Sequence, residues 1–345
     1  MRLQRFRIGA VALLVFAVAL TAGGAVAAPT ARTAHAAASA QQDLAHPTKA
    51  LCKKSSYKIG YDVFSDTQPF AVSLTNGLID AAKSIGCAQV VKAVDNLNGP
   101  VAVGNVKTLL NEGIDGFVDF QVLANYQPAI AKLLKSGKVP AVTVVGATLP
   151  GFPQVGLAPF QTEKNAAIYM AKQAKKQFPG QIPYFLGGAE PTSGAAVLAR
   201  YKGAVAGIKE VYPNIPSDHI IQVNTEGVAT TAYTTTLSAL SKVPSNSVVL
   251  MQAVNDEDLG GMYKAAQARH VANYLVNSFG GDSYGLKQVC ADPKHYVGAW
   301  YLDPAGWGPV LLSLVMNQMN GVKVPKVTNI AGFEVTHTTP FLHCK

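Results

Sequence analysis

The chain has 345 residues, of which 49% are hydrophobic and only 14% charged, with a formal net charge of +9. The surface is mildly basic, and without Lys/Arg runs or arginine–aromatic interleaving no nucleic-acid partner is expected. The residues after position 40 exceed the size at which one core usually stops growing, roughly 250–300 residues, so two lobes are expected.

The opening MRLQRFR carries three arginines and runs into the apolar IGAVALLVFAVAL, the pattern of a secretory signal peptide. That run is too short for a membrane span of roughly 20 residues, and no second candidate span follows. Small-residue triplets place cleavage after Ala27 or anywhere up to Ala40, the signal peptide and a flexible Ala-rich segment together covering 1–40. Residues 1–40 hold Arg2, Arg5, Arg7, Arg32 and no acid, so their loss leaves 25 basic against 20 acidic side chains, a net +5. LTAGGAV offers no lipid-acceptor cysteine, and a secreted, periplasmic or cell-surface location is expected. Cys52, Cys87, Cys290 and Cys344 all lie in the exported part, where an oxidising compartment favours disulfides with three connectivities open. No pair is C-x-x-C and the one neighbouring histidine is His343, so no metal site is expected, and no cofactor.

From Lys58 onward strand-like and helix-like segments alternate. YKIGYDVF reads as a strand and PFAVSLTNGLIDAAKSIG as a helix stopped by Gly86. The strand AQVVKAVD, the helix VAVGNVKTLLNEG, the strand DGFVDFQV, the helix YQPAIAKLLKSG and the strand PAVTVVG follow. The pattern then restarts: TEKNAAIYMAKQAKKQFPG is helical, QIPYFLGG a strand, GAAVLARYKGAVAGIKEVYP a helix, HIIQVNT a strand, TTAYTTTLSALSKVP a helix, NSVVLMQAV a strand, DEDLGGMYKAAQARH a helix and VANYLVNSF a strand. Strands separated by helices of this length imply βαβ units with right-handed crossovers, hence an α/β chain of two similar doubly wound parallel-sheet lobes. Ligands of such sheets bind beyond the carboxyl ends of the strands. If the lobes face each other, SDTQPF, QVLANY, GATLPGF, GGAEPTSG, NTEGVATT, AVNDED and GGDSYG share one cleft.

Gly281 to Gly285 spell G-D-S-Y-G, the spacing of a serine-hydrolase elbow around Ser283. Asp292 or Asp303 and His295, His337 or His343 could complete a triad, but only 60 residues follow Gly285 and no upstream H-G-G stretch supplies an oxyanion hole. FLGGAEPTSGAA matches neither phosphate-binding glycine pattern. The expectation is therefore of no enzyme, and a secreted esterase using Ser283 is the weakest reading.

Several stretches resemble the type I periplasmic solute-binding proteins of the ribose-, xylose- and autoinducer-binding kind, the receptors of ABC importers. KIGYDVFSDTQPFAVSLTNGLIDAAKSIG resembles the family's first strand, N-P-F-F-type loop and first helix. NEGIDGFVDF and VPAVTVVG resemble the third and fourth strands, AVNDEDLGGMYKAAQA the N-D-x-x-A-x-G-x-x-x-A motif, and SFGGDSYGLKQV the G-F-D-G-x-x-x-G-L-x-x-I turn. A sibling branch of this fold, the lac-repressor family, would carry an N-terminal helix-turn-helix where the signal peptide stands.

The resemblance implies a monomeric extracytoplasmic receptor that closes about a three-crossing hinge on a small molecule and hands it to an ABC permease; a ligand-sensing module for a membrane receptor is the alternative. It implies crossings near Leu157 to Phe160, Phe279 to Asp282 and Pro325 to Phe333. Lobe one is then 55–158 plus 283–325, lobe two 159–281 plus 330–338, and 339–345 a tail. Phe70 matches an aromatic that stacks on the ligand and Asp256 a carboxylate that accepts its hydroxyls, with Asn255 bracing the loop or joining the site. Asp66, Gln68, Asn125, Glu190, Thr192, Thr234 and Asp282 are placed in cleft-facing loops. Where sugar binders often carry Asp-Arg this chain has Val145-Gly146, the turn aspartate is Gly280, and the helix arginine aligns with Leu198, two positions before Arg200. A less polar pocket follows, lined by Phe64, Phe120, Tyr126, Phe160 and Trp307, suited to an uncharged or weakly polar solute with a modified sugar close behind. The family's sheet order puts the first two strands side by side, which implies a Cys52–Cys87 bridge and leaves Cys290 with Cys344.

Overall fold

The computed structural model describes residues 44–144 and 146–344, so the expected signal peptide and the Val145 position lie outside the described residues. Twelve strands and nine α-helices alternate among the described residues: β1 (Tyr57–Val63), α1 (Pro69–Ile85), β2 (Ala88–Val94), α2 (Gly99–Asn111), β3 (Gly116–Phe120), α3 (Gln127–Ser136), β4 (Ala141–Val144), β5 (Gln154–Gly156), α4 (Pro159–Gln177), β6 (Tyr184–Ala189), α5 (Ala195–Val211), β7 (Ile220–Asn224), α6 (Ala229–Leu240), β8 (Val248–Gln252), α7 (Asp256–Ala268), β9 (Asn273–Gly280), α8 (Ser283–Ala291), β10 (Tyr296–Tyr301), α9 (Pro304–Met319), β11 (Val327–Asn329) and β12 (Phe333–Val335).

The helix boundaries follow from local chemistry. Gln68 caps α1 by accepting the Ala71 N–H at 2.8 Å, Pro69 occupies the position whose N–H is unneeded, and Gly86 ends the helix at φ 79°. Asn255 caps α7 by accepting the Asp258 N–H at 2.7 Å, and Asp256, Glu257 and Asp258 place negative charge in the first turn, where the helix dipole favours it.

The strands form two six-stranded sheets. In the first the order is β11-β5-β4-β3-β1-β2 and every pairing is parallel; in the second it is β12-β10-β9-β8-β6-β7, parallel except that β12 runs antiparallel to β10. The chain passes between sheets after β5, after β10 and between β11 and β12.

Residues 283–301, expected in lobe one, belong to the second lobe. β10 lies parallel to β9 with Ala299 opposite Ser278 and Trp300 opposite Phe279. The turn at 280–282 thus opens an ordinary βαβ crossover, α8, that returns to its own sheet. The second passage falls at 302–303, and α9 alone of that stretch goes back to the first sheet. β5 adds a three-residue strand between β4 and β11.

The two lobes therefore exchange helices: α4 leaves the first sheet to pack on β9 and β10, while α9 leaves the second to pack on α1 and the first sheet. The α1–α9 contact is close enough that a Cβ on Gly308 would run into the backbone of Gly77 and Leu78. Trp307, fully buried, plugs the core beside it, and its indole N–H donates to the Leu302 carbonyl at 2.6 Å.

The disulfides are Cys52–Cys87, the pair the family's sheet order implied, and Cys290–Cys344, the pair this leaves. The first joins the starts of β1 and β2, where the Tyr57 N–H also donates to the Cys87 carbonyl at 2.8 Å. With a sequence separation of 35, its loop-closure contribution is about 3–4 kcal/mol in the chain-entropy account. The second holds the C-terminal turn so that Phe341 packs against Tyr301 and Phe333.

Candidate functional site

The carboxyl ends of both sheets meet around Gly280. A Cβ there would stand 2.8 Å from Asp256 Oδ2 and 3.7 Å from Phe70 Cδ2, so an aromatic of the first lobe and a carboxyl of the second flank the same glycine. On another side, a Cβ on Gly194 would lie 3.7 Å from Ala124 Cβ, bringing the start of α5 against the turn after β3.

Phe70 is half-buried and held edge-on by Phe120 (centroids 6.3 Å apart) and Trp307 (5.8 Å). Phe64 stands edge-on to Phe120 at 4.8 Å. Of the aromatics expected to line the pocket, Phe120 and Trp307 are core supports beneath Phe70, and Phe160 is exposed at the start of α4. Tyr126, half-buried, packs its ring where a Cβ on Gly99 would be.

Asp256 is buried at the first turn of α7; its carboxyl accepts from the Ser278 hydroxyl and from the Asp282 N–H at 2.7 Å. Asp282, also buried, caps α8 by accepting the Tyr284 and Gly285 N–H groups at 2.8 and 2.9 Å. Asn255 braces the loop: besides capping α7 it donates to Glu190 Oε1 at 2.8 Å, while Ser193 donates to Glu190 Oε2 at 2.7 Å. Gln68 is occupied as the α1 cap.

Asp66, Asn125 and Thr192 are exposed. Thr234 departs from expectation: it lies inside α6, not in a loop, with its hydroxyl bonded back to the Thr230 and Thr231 carbonyls. The expected set thus divides into Phe70, Asp256 and Asp282 around the central turn, Asn255 with Glu190 bracing the loop before α7, Gln68 as the α1 cap, and Asp66, Asn125, Thr192 and Thr234 as exposed or helical residues. Ser283 is exposed at the start of α8 and bonds no histidine among the described residues; the His295 ring nitrogen faces Asp292 at 3.0 Å instead. No group of three or more His, Cys, Asp or Glu among the described residues is arranged to hold a metal ion.

Two polar networks beneath the strand ends escaped sequence reasoning. In the first lobe Asp62 accepts from Asn105 (2.7 Å), Asp95 from Gln121 (2.9 Å), and Asp119 from Gln127 (2.6 Å) and Thr143 (3.1 Å). In the second, Gln252 donates to Glu163, and Arg200 donates to the Val254 carbonyl at 2.7 Å with its guanidinium 5.4 Å from the Phe279 ring centroid. The signal was an acid inside an otherwise apolar strand, as in YKIGYDV and GFVDF.

Burial, the largest cause in every case, pushes the Asp62, Glu163, Asp256 and Glu334 carboxyls up to about 8, Asp119 to about 7 and Asp95 to about 6. Each folded-state value lies above the unfolded one near 4, so the stability each contributes is complete below about pH 4 and is lost as pH rises through its folded value. The melting temperature is therefore expected to be several degrees higher at about pH 5 than at about pH 8.5. Scanning calorimetry across that window checks the sign, and a curve rising toward alkaline pH would contradict it.

Residues 59–323 match the family described as periplasmic binding protein domain. Solved structures share the fold: an ABC transporter solute-binding protein from Mycobacterium smegmatis with bound glycerol (19% identity, 84% of this chain and 97% of that one, TM-score 0.74) and one from Actinobacillus succinogenes with bound D-allose (16%, 82% and 98%, 0.70). A third, from Bacillus halodurans with bound myo-inositol, is 15% identical over 83% of this chain and 96% of its own, with a TM-score of 0.68. No curated protein matches the chain. With two parallel-sheet lobes and the family's match spanning most of its length, the chain belongs to the periplasmic binding protein domain family, whose members are solute receptors and not enzymes.

Proposed function

We propose that the protein captures an uncharged polyhydroxylated solute, a sugar or polyol, between its lobes outside the cytoplasm and delivers it to the permease of an ABC importer. The observation that carries this reading is the meeting of Phe70 and Asp256 at Gly280: an aromatic face suits the apolar side of a sugar ring, and a carboxyl beside it suits hydroxyls. The bound allose, glycerol and myo-inositol of the structural neighbours support the ligand class. Arg200 donates to the Val254 carbonyl at 2.7 Å and Glu163 opposes its charge, while its buried Nε has no hydrogen-bond partner among the described residues.

A thermal-shift screen against sugars, polyols, aromatic acids and nucleosides tests it. A sugar or polyol is expected to raise the melting temperature, since a ligand at a hundred times its Kd stabilises by about 2.7 kcal/mol. Phe70→Ala should erase that shift. Silence from every sugar and polyol beside a response to aromatic acids or nucleosides would sink the ligand class. Uptake of the hit by cells with and without the protein tests delivery.

A further inference from the structure

At the end of the first lobe remote from the cleft, a recess of about 890 Å³ opens among the amino ends of the strands. Tyr57 begins β1, Asp115 immediately precedes β3 and Pro140 immediately precedes β4; the carboxyl end of α3 and Gln318–Asn320 at the end of α9 close the rim. Four lysines line it, Lys53, Lys54, Lys135 and Lys138, and an adjoining hollow of about 490 Å³ shares the first two and adds Lys49. Asp115 is the one carboxylate lining either hollow among the described residues, and it is paired with Lys54.

Five lysines against one carboxylate leave an excess of four positive charges on one face, in a chain whose net charge after residue 40 is +5. Two of the cations rest on rings: the Lys54 ammonium lies 4.8 Å from the Tyr57 ring centroid and that of Lys135 lies 5.8 Å from Phe152. The uncharged donors are already committed, Gln318 to the Ala141 carbonyl at 3.1 Å and Asn320 to Leu51 at 2.8 Å. Recognition at this face therefore falls to lysine ammonium groups, point charges that match phosphate oxygens without demanding one geometry.

We propose that this lysine-lined recess is a docking site for a phosphate-bearing polyanion. At about 890 Å³ the recess is too large for a single phosphate. A polymer, not a bilayer, fits the transport reading: a membrane under this base would point the cleft away from a permease in that membrane.

The test measures binding of inorganic polyphosphate to the exported chain at about 0.05 and 0.15 M salt, with Lys135→Glu/Lys138→Glu set against Lys172→Glu/Lys176→Glu, an equal charge change at exposed positions of α4. The recess variant is expected to bind at least about tenfold more weakly and with a shallower salt dependence, the α4 variant within about twofold of the parent. Both should keep the thermal shift given by the cleft solute, so failure here and failure of the cleft reading are separate outcomes. If the glutamate pair does not fold, Lys135→Ala/Lys138→Ala replaces it. Equal weakening by both variants, or no polyphosphate binding by the parent, overturns the proposal. Lysine-dependent binding to phosphatidylglycerol vesicles without polyphosphate binding overturns it in favour of a lipid surface.

Discussion

Trp307→Ala is expected to lower the melting temperature by about 6–20 °C, combining about 3–5 kcal/mol for deleting a buried tryptophan with about 2–4 °C per kcal/mol at this chain length. The side chain is wholly buried, and its N–H satisfies the carbonyl of Leu302 at 2.6 Å, the residue at which the chain leaves the second sheet. Its ring is also one of the two edges that orient Phe70. Loss of the indole therefore empties the core under α1 and α9, strands a buried acceptor at the passage between lobes, and frees Phe70 to turn. Solute affinity should fall together with stability. Trp307→Phe keeps most of the ring but not the donor and should lie between parent and alanine variant. Calorimetry placing Trp307→Ala within about 2 °C of the parent would mean that the core collapses onto the gap and that the packing account is wrong.

The alternation of strands and helices was legible because each βαβ unit writes two periods into the chain, and caps such as Gln68 with Pro69 and Asn255 with its acidic first turn mark the helix starts. What the chain does at the lobe boundary was not legible. Leu302 and Asp303 carry no signal that distinguishes a passage between sheets from a turn within one, and the Gly280–Asp282 turn, with two glycines at positive φ, looks equally fit for either role. β5 spans three residues, too few for any periodicity. At the site, motif likeness brought forward Phe70 and Asp256, which flank one glycine, whereas placement by loop brought forward Thr234, which a helix absorbs. The buried partners Asp119–Gln127 and Glu163–Gln252 join residues from different elements, and in the second pair the partners are 89 positions apart. Pairings of that kind are set by the sheet order, which local sequence does not encode.

Asp256→Ala is predicted to weaken solute binding by about tenfold or more, and to do so through the turn it holds. Its carboxyl is the acceptor for the Ser278 hydroxyl and for the Asp282 N–H at 2.7 Å; without it both buried donors are unmatched, at about 1–3 kcal/mol each. The 280–282 turn that faces Phe70 then loosens, and tenfold in affinity is about 1.4 kcal/mol. Asp256→Asn separates shape from charge. Burial, and then the neighbouring Asp282, push the Asp256 carboxyl up to about 8, so at neutral pH the group holds its proton and asparagine replaces it nearly isosterically. The asparagine variant should therefore bind close to the parent near neutrality. Above about pH 8 the parent should lose affinity as a buried negative charge appears beside Asp282, while the asparagine variant stays level. Titration calorimetry of the solute hit at both pH values reads the two effects apart. Should Asp256→Asn match Asp256→Ala at neutral pH, the ionised carboxylate itself would be the gripping group, and the proton assigned to it would be withdrawn.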